Sequence, residues 1–184
     1  MSVRKKRPQA PGAAASGDIE AMIRVDHAGE YGAVRIYEGQ LAVLGNRASE
    51  TANAIREMAA QEQDHLKAFD ELVNERRVRP TALEPIWRVA GFALGAATAL
   101  MGEKAAMACT AAVEEVIDEH YAQQIDKLDG DPALQKKVAA FRADEIAHRD
   151  EALAHGAEEA PGYKLLSETI KAGCRLAIKL SERL

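Results

Sequence analysis

Glu62 and His65 stand three residues apart, as do Glu145 and His148, and each pair follows a lone glutamate: Glu30 lies 32 residues before Glu62, and Glu114 lies 31 before Glu145. The chain thus reads Glu … Glu-x-x-His twice. On an α-helix, positions i and i+3 share a face, so a carboxylate and an imidazole at that spacing reach one ion together. Two helices giving one Glu each, and two giving Glu-x-x-His each, build a two-metal site inside a four-helix bundle.

The six residues fall on apolar stripes. Glu30 shares the phase of Ile23, Val34, Tyr37, Leu41 and Leu44; Glu62 and His65 that of Ile55, Met58, Phe69 and Leu72. Glu114 falls with Met107, Ala111, Ile117, Tyr121, Ile125 and Leu128, and Glu145 and His148 with Leu134, Val138, Phe141 and Ala152. Each stripe has the three-to-four spacing of a buried helix face. A charge placed there suffers a heavy desolvation cost unless it is paired or binds a metal. The plain alternative, stray glutamates and two satisfied core histidines, accounts for any one of the six but poorly for all six in repeated order. Glu115 competes with Glu114, but position 115 drops off the stripe.

Ala, Leu, Glu, Lys and Arg dominate and aromatics make up only 4%, so the spacing predicts an all-α protein. Helices are expected from about Asp18 to Leu44, Ser49 to Arg76, Gly102 to Leu128, Pro132 to His155 and Tyr163 to Glu182, and residues 18–184 as one domain. Residues 1–17 read as a disordered basic tail. Arg4, Lys5, Lys6 and Arg7 precede the first acid, Asp18, and the tail has no apolar stretch of the secretory kind. Such a cluster is suited to anionic lipid, although a plain solvated tail is the simpler expectation. The other 20 basic residues face 29 acids, and that acidic body excludes nucleic acid as a partner. Cys109 and Cys174 form no C-x-x-C and read as buried free thiols.

The run Val89–Gly102 carries no charge over 14 residues. That is too short to span a bilayer, for which about 20 residues are needed. It reads either as a membrane-interface helix and lipid-tail path, with Phe92 and Leu94 on that path, or as a buried connection. The first is favoured, because the run is surplus to the packing of a complete bundle.

Four carboxylates and two imidazoles form an oxygen and nitrogen shell that suits iron or manganese, whereas structural zinc sites more often use thiolates. The imidazoles need partners to fix their tautomers. Asp26, four before Glu30, and Asp118, four after Glu114, share faces with ligands and are expected in that role. His27, Tyr31, His120 and Tyr121 are candidates for proton or electron relay, with a structural role the default.

The words around the ligands are more specific than the ligands themselves. Asp26-His27-Ala28-Gly29-Glu30-Tyr31-Gly32-Ala33, Gln61–Leu66, Gly91–Ala96, Ala112-Val113-Glu114-Glu115, Asp144–His148 and the tail Ala172–Leu184 together resemble the demethoxyubiquinone hydroxylase family, over about residues 19–184. That resemblance implies a ferritin-like bundle with two iron ions per chain, held by Glu30, Glu62, His65, Glu114, Glu145 and His148, with Glu62 and Glu145 bridging. It implies O2-dependent hydroxylation of a polyprenylated demethoxy-benzoquinol in ubiquinone synthesis, with NADH or another reductant supplying electrons. It further implies peripheral attachment to the cytoplasmic face of a bacterial inner membrane, or the matrix face of the mitochondrial one, beside a lipid-binding accessory protein. Rival readings with the same ligand plan are a ferroxidase, a radical-generating subunit with Tyr37 or Tyr121 against the metals, and a manganese catalase; a metal-free helical membrane-surface scaffold stands outside the metal classes. Oligomeric state, isoprenoid length and host are not legible.

Overall fold

The computed structural model describes residues 16–184, and the expected tail at residues 1–17 lies largely outside the described residues. Six α-helices follow in order: α1 Ser16–Leu44, α2 Glu50–Arg76, α3 Glu84–Leu100, α4 Glu103–Ile125, α5 Pro132–Ala154 and α6 Tyr163–Ser181, with a single 3₁₀ turn, Ala157–Glu159, before α6. No strand occurs among the described residues. Local chemistry sets the ends. The Ser49 hydroxyl accepts from Ala52 N at 3.2 Å, and Asp131 accepts from Leu134 N at 3.2 Å with Pro132 opening α5. α3 is parted from α4 at Gly102, whose φ of 119° few side-chain-bearing residues adopt.

Helices α1, α2, α4 and α5 bury their stripes in two clusters. One holds Tyr37, Leu44, Ile55, Met58, Met107, Ala111 and Ala152; the other holds Ile23, Phe69, Leu72, Tyr121, Leu134 and Val138. On every one of the four helices the Glu or His positions fall between a member of the first cluster and a member of the second. Apolar packing therefore closes the bundle at both ends and leaves a polar layer across its middle.

The glycine-rich run does more packing than the sequence suggested. A Cβ on Gly95 would lie 1.9 Å from the Ile36 carbonyl oxygen, and one on Gly91 would lie 2.9 Å from that of Gly32. A Cβ on Gly39 of α1 would meet the Phe92 carbonyl oxygen at 2.2 Å. The backbones of α1 and α3 thus touch, which only glycine at these crossings permits. The run is not surplus: one face is needed to seat α3 on α1. Its other face is bare, with Val89 69% and Leu100 76% exposed. No helix among the described residues is long and apolar enough to cross a membrane.

Helix α6 lies on α4, where Ile170 and Leu166 join Val113 and Cys109. Ion pairs Lys171–Glu115 at 2.7 Å and Arg175–Glu119 at 3.0 Å flank that seam. Between α1, α3, α4 and α6 is an apolar cavity of about 410 Å³, bordered by Trp87 and Leu94 of α3, Val113 and Ile117 of α4, and Ile170 and Cys174 of α6. Burial pushes the Cys109 thiol up to about 12 and the Cys174 thiol up to about 11, so neither is a thiolate nucleophile at neutral pH.

Candidate metal centre

The structure brings all six repeated Glu and His residues into the polar layer. Ligand atoms of Glu30, Glu62, His65 and Glu145 lie within 4.8 Å of one another, and so do those of Glu62, Glu114, Glu145 and His148. Glu62 and Glu145 belong to both groups, so the arrangement is two overlapping sites sharing two carboxylates. All six side chains are buried. Glu115 points away, to Lys171, while Glu114 enters the cluster.

Each histidine presents Nδ1 inward. His65 Nδ1 is 3.1 Å from Glu145 and 3.6 Å from Glu30; His148 Nδ1 is 3.0 Å from Glu62 and 3.4 Å from Glu145. None of these approaches completes a hydrogen bond. Both oxygens of Glu62, both of Glu145, one each of Glu30 and Glu114, and both Nδ1 atoms are buried without a hydrogen-bond partner. Orphaned buried polar atoms are rare in native proteins, and eight converging on one point fit a pair of cations. The donors, carboxylate oxygen and imidazole nitrogen, are those iron and manganese take.

The outer nitrogens are tied down crosswise. His65 Nε2–H donates to Asp144 of α5 at 3.2 Å, and His148 Nε2–H donates to Gln61 of α2 at 2.6 Å. Gln61 and Asp144 each stand immediately before a glutamate of the cluster and serve the histidine of the opposite helix. These donations leave both Nδ1 atoms free to face a metal. Sequence reasoning missed this pair, although a polar residue preceding Glu-x-x-His in both repeats was the signal.

Asp26 and Asp118 do not take that role. Asp26 accepts from Gln124 at 2.7 Å and from His120 at 3.2 Å. Helices α1 and α4 run antiparallel, with Glu30 level with Tyr121 and Tyr37 level with Glu114. Stepping back four residues from Glu30 therefore leads along α4 away from the cluster. Asp118 accepts from Arg142 Nε at 2.6 Å and faces Arg149, on the α4–α5 seam. His27 pairs with Asp70 at 2.9 Å, between α1 and α2. Of the two expected tail-path residues, Leu94 borders the cavity, whereas the Phe92 ring lies against the Arg35 guanidinium, 5.3 Å away.

Two tyrosines steady the carboxylates. The Tyr37 hydroxyl donates to Glu114 at 2.8 Å and the Tyr121 hydroxyl donates to Glu30. Burial and the adjacent glutamates push both phenols well above their ordinary range, so each stays a donor.

Without cations, the cluster holds protons. Burial, then repulsion by neighbouring carboxylates, pushes Glu62 and Glu114 well above the usual carboxylate range, and burial raises Glu30. Burial also acts to raise Glu145, but His148 and His65 outweigh it and hold the group at about 2. For His65, burial lowers the pKa, yet Glu145 and Glu30 outweigh it and carry the imidazole up to about 10. The metal-free cluster thus favours proton retention on Glu30, Glu62, Glu114 and His65 and ionisation of Glu145, and divalent ions binding there would compete with those protons.

Overlapping carboxylate–imidazole groups that could hold metal ions, inside a helical bundle and beside an apolar cavity, define the class as a helical carboxylate-bundle protein. Within that class, the chain belongs to the ubiquinone biosynthesis protein COQ7 family, whose model matches residues 17–181. It is 58% identical over 166 residues to the 3-demethoxyubiquinol 3-hydroxylase of Rhodospirillum rubrum, covering 90% of this chain and 78% of that protein. It is 54% identical to the mitochondrial NADPH-dependent 3-demethoxyubiquinone 3-hydroxylase of Homo sapiens, covering 90% of this chain and 78% of that one. It is 40% identical to the mitochondrial 5-demethoxyubiquinone hydroxylase of Saccharomyces cerevisiae, again over 90% and 78%.

Proposed function

We propose that this chain, acting as one ferritin-like domain over residues 18–184, hydroxylates a polyprenylated demethoxy-benzoquinol in ubiquinone synthesis, with two iron ions held by Glu30, Glu62, His65, Glu114, Glu145 and His148. The observation that carries the reading is the pair of overlapping ligand groups sharing Glu62 and Glu145. Two irons bound there would supply the activation of O2. The balance is one oxygen atom into a ring C–H bond and the other into water, with two electrons and two protons taken up. The electrons come from a reduced nicotinamide, a donor that the human relative's name states for that protein.

The chain's own residues do the rest. Asp144 and Gln61 orient the imidazoles, and Tyr37 and Tyr121 hold Glu114 and Glu30 in place. The two apolar clusters keep water from the layer between them. The cavity between α3 and α6 takes the quinol, and the bare faces of those helices engage the membrane that carries it. That membrane is the bacterial inner membrane at its cytoplasmic face, or the mitochondrial inner membrane at its matrix face, and a lipid-binding accessory protein hands over substrate there.

The hydrogen bonds of Tyr37 and Tyr121 to the cluster favour a second reading, a radical-generating subunit. Paramagnetic resonance after mixing iron-loaded protein with O2 separates them: a persistent tyrosyl radical supports the second reading, and quinol-coupled turnover without one supports the first. The direct test is to load the purified chain with iron anaerobically, measure bound metal, and identify co-purified quinone by mass spectrometry. About two irons per chain and a demethoxyquinone are expected; less than one metal per chain overturns the centre.

A further inference from the structure

We propose that Gly29 and Gly32 set the bore of the apolar cavity and hold it open for the quinol ring; this rests on the hydroxylase reading above. Glycine inside a helix normally answers to one of two needs, close backbone approach or a positive φ. Gly39, Gly91 and Gly95 answer to the first, with carbonyl oxygens 2.2, 2.9 and 1.9 Å from where a Cβ would lie. Gly102, Gly156 and Gly162 answer to the second. Gly29 and Gly32 answer to neither. Both lie inside α1 with φ outside the positive range, and a Cβ on either would meet nothing within 4 Å. Helix propensity alone argues for alanine at both positions. What the two share is the space they face, since both border the cavity.

Their place in that wall identifies what needs the room. Gly29 and Gly32 flank Glu30, whose carboxylate turns to the metal cluster, and on α4 the cavity residue Val113 directly precedes Glu114. This is the stretch of wall adjoining two ligand residues. The reacting ring has to come to the metal side of the cavity, whereas the isoprenoid chain trails toward the lipid. A substituted ring is also broader than an isoprenoid chain. Side chains at 29 and 32 would narrow the cavity where the ring has to sit.

The test is a graded series, Gly29→Ala, Gly32→Ala and Gly29→Leu, in the iron-loaded full chain. Three quantities are read: Tm, turnover of long-tailed and tail-less demethoxyquinols, and quinone binding by quenching of Trp87. Trp87 is the only tryptophan and borders the same cavity. Each alanine variant is expected to melt roughly 2–4 °C higher than wild type, because a helical glycine with free space is replaced. Each is expected to lose roughly tenfold in kcat/KM and in binding for both quinols, the scale of one methyl group in a fitted pocket. Gly29→Leu abolishes both. Gly95→Ala, whose Cβ has no room, melts lower and calibrates the comparison. Unchanged binding and turnover in a stable Gly29→Leu overturns the proposal. So does a loss confined to the long-tailed quinol, which assigns the wall to the tail, and so does a lowered Tm in both alanine variants, which assigns the glycines to packing. A wild type that binds and hydroxylates no quinol overturns the functional reading itself, while a competent wild type with indifferent variants overturns only the role of the two glycines.

Discussion

The two sides of this molecule break opposite rules. The α1–α2–α4–α5 side buries charge: Glu62 and Glu145 are 0% exposed in the middle of an otherwise apolar bundle. The α3–α6 side exposes oil: Val89 and Leu100 on α3, and Leu165 and Leu176 on α6, stand largely free of protein contact. Neither choice favours the stability of an isolated soluble chain. Each is accounted for by the proposed function, which puts cations on one side and an apolar phase on the other. α1 belongs to both sides, carrying Glu30 inward and Gly29 and Gly32 toward the cavity. α4 does the same with Glu114 and Val113, so the charged layer and the apolar space are separated by the thickness of one helix.

The sharpest way to break the comparison is to remove a shared carboxylate. Glu145→Ala is expected to abolish turnover and bound metal while keeping the helical circular dichroism signal, because the two apolar clusters on either side of the layer still hold the four helices together, although the loss of a partner for His65 and His148 lowers Tm. Glu114→Gln loses metal and Glu115→Gln does not. The reverse result would put the α4 ligand on the other face of the helix.

A second effect, smaller, falls on the partners of the imidazoles. Asp144→Ala and Gln61→Ala are each expected to lower metal affinity roughly 10–100-fold, as loss of a histidine's hydrogen-bond partner does. Competition with a chelator measures it, and affinities equal to wild type would show that the crosswise bonds orient nothing.

The apolar side is broken by charge. Val89→Glu with Leu100→Glu is expected to reduce binding to liposomes by roughly two orders of magnitude or more, since leucine-sized side chains contribute about 1.5–3 kcal/mol each when buried and about 1.4 kcal/mol is tenfold. Iron content and turnover of a tail-less quinol stay at the wild-type level. Undiminished liposome binding would leave α3 without a membrane role.

The charged side has a pH signature that the apolar side lacks. In the metal-free chain, Glu30, Glu62 and Glu114 have folded pKa values raised above the ordinary 4.5. Their stabilisation is complete below the unfolded pKa and is lost as pH rises through the folded values. His65, carried to about 10 from 6.5, adds a loss that continues toward that pH. Glu145, held at about 2, acts in the opposite sense and only in acid. Calorimetry of metal-free protein should therefore show Tm falling from about pH 5 to about pH 10, a slope that bound iron abolishes. A flat metal-free profile would mean that water reaches the layer.

What was legible divides along the same line. Glu62–His65 and Glu145–His148 could be read because spacing along one helix fixes a shared face, and the choice of Glu114 over Glu115 followed from phase within one stripe. Relations between helices could not be read that way. Gln61 serves His148 and Asp144 serves His65, and no single-helix pattern says which neighbour a side chain meets. Gly91 and Gly95 look alike in sequence whether they greet lipid or the backbone of α1; only the crossing decides, and it decides for α1. The cavity belongs to four helices at once, so Gly29 and Gly32 acquire their meaning only in the folded chain.

The smallest effect tests the correction to Asp118. Helical phase from Glu114 made it a candidate partner for a ligand histidine, yet it sits with Arg142 and Arg149 on the α4–α5 seam. Its partners are partly solvated, so the pairing is worth less than about 1 kcal/mol after screening. Asp118→Asn is expected to lower Tm by no more than roughly 2–4 °C and to leave chelator-measured metal affinity at the wild-type value. The same conservative change at Asp144 weakens the hydrogen bond that orients His65 and moves affinity. If Asp118→Asn instead shifts metal affinity as far as Asp144→Asn does, the two aspartates act on the centre together, and the boundary drawn between the helix seam and the charged layer is in the wrong place.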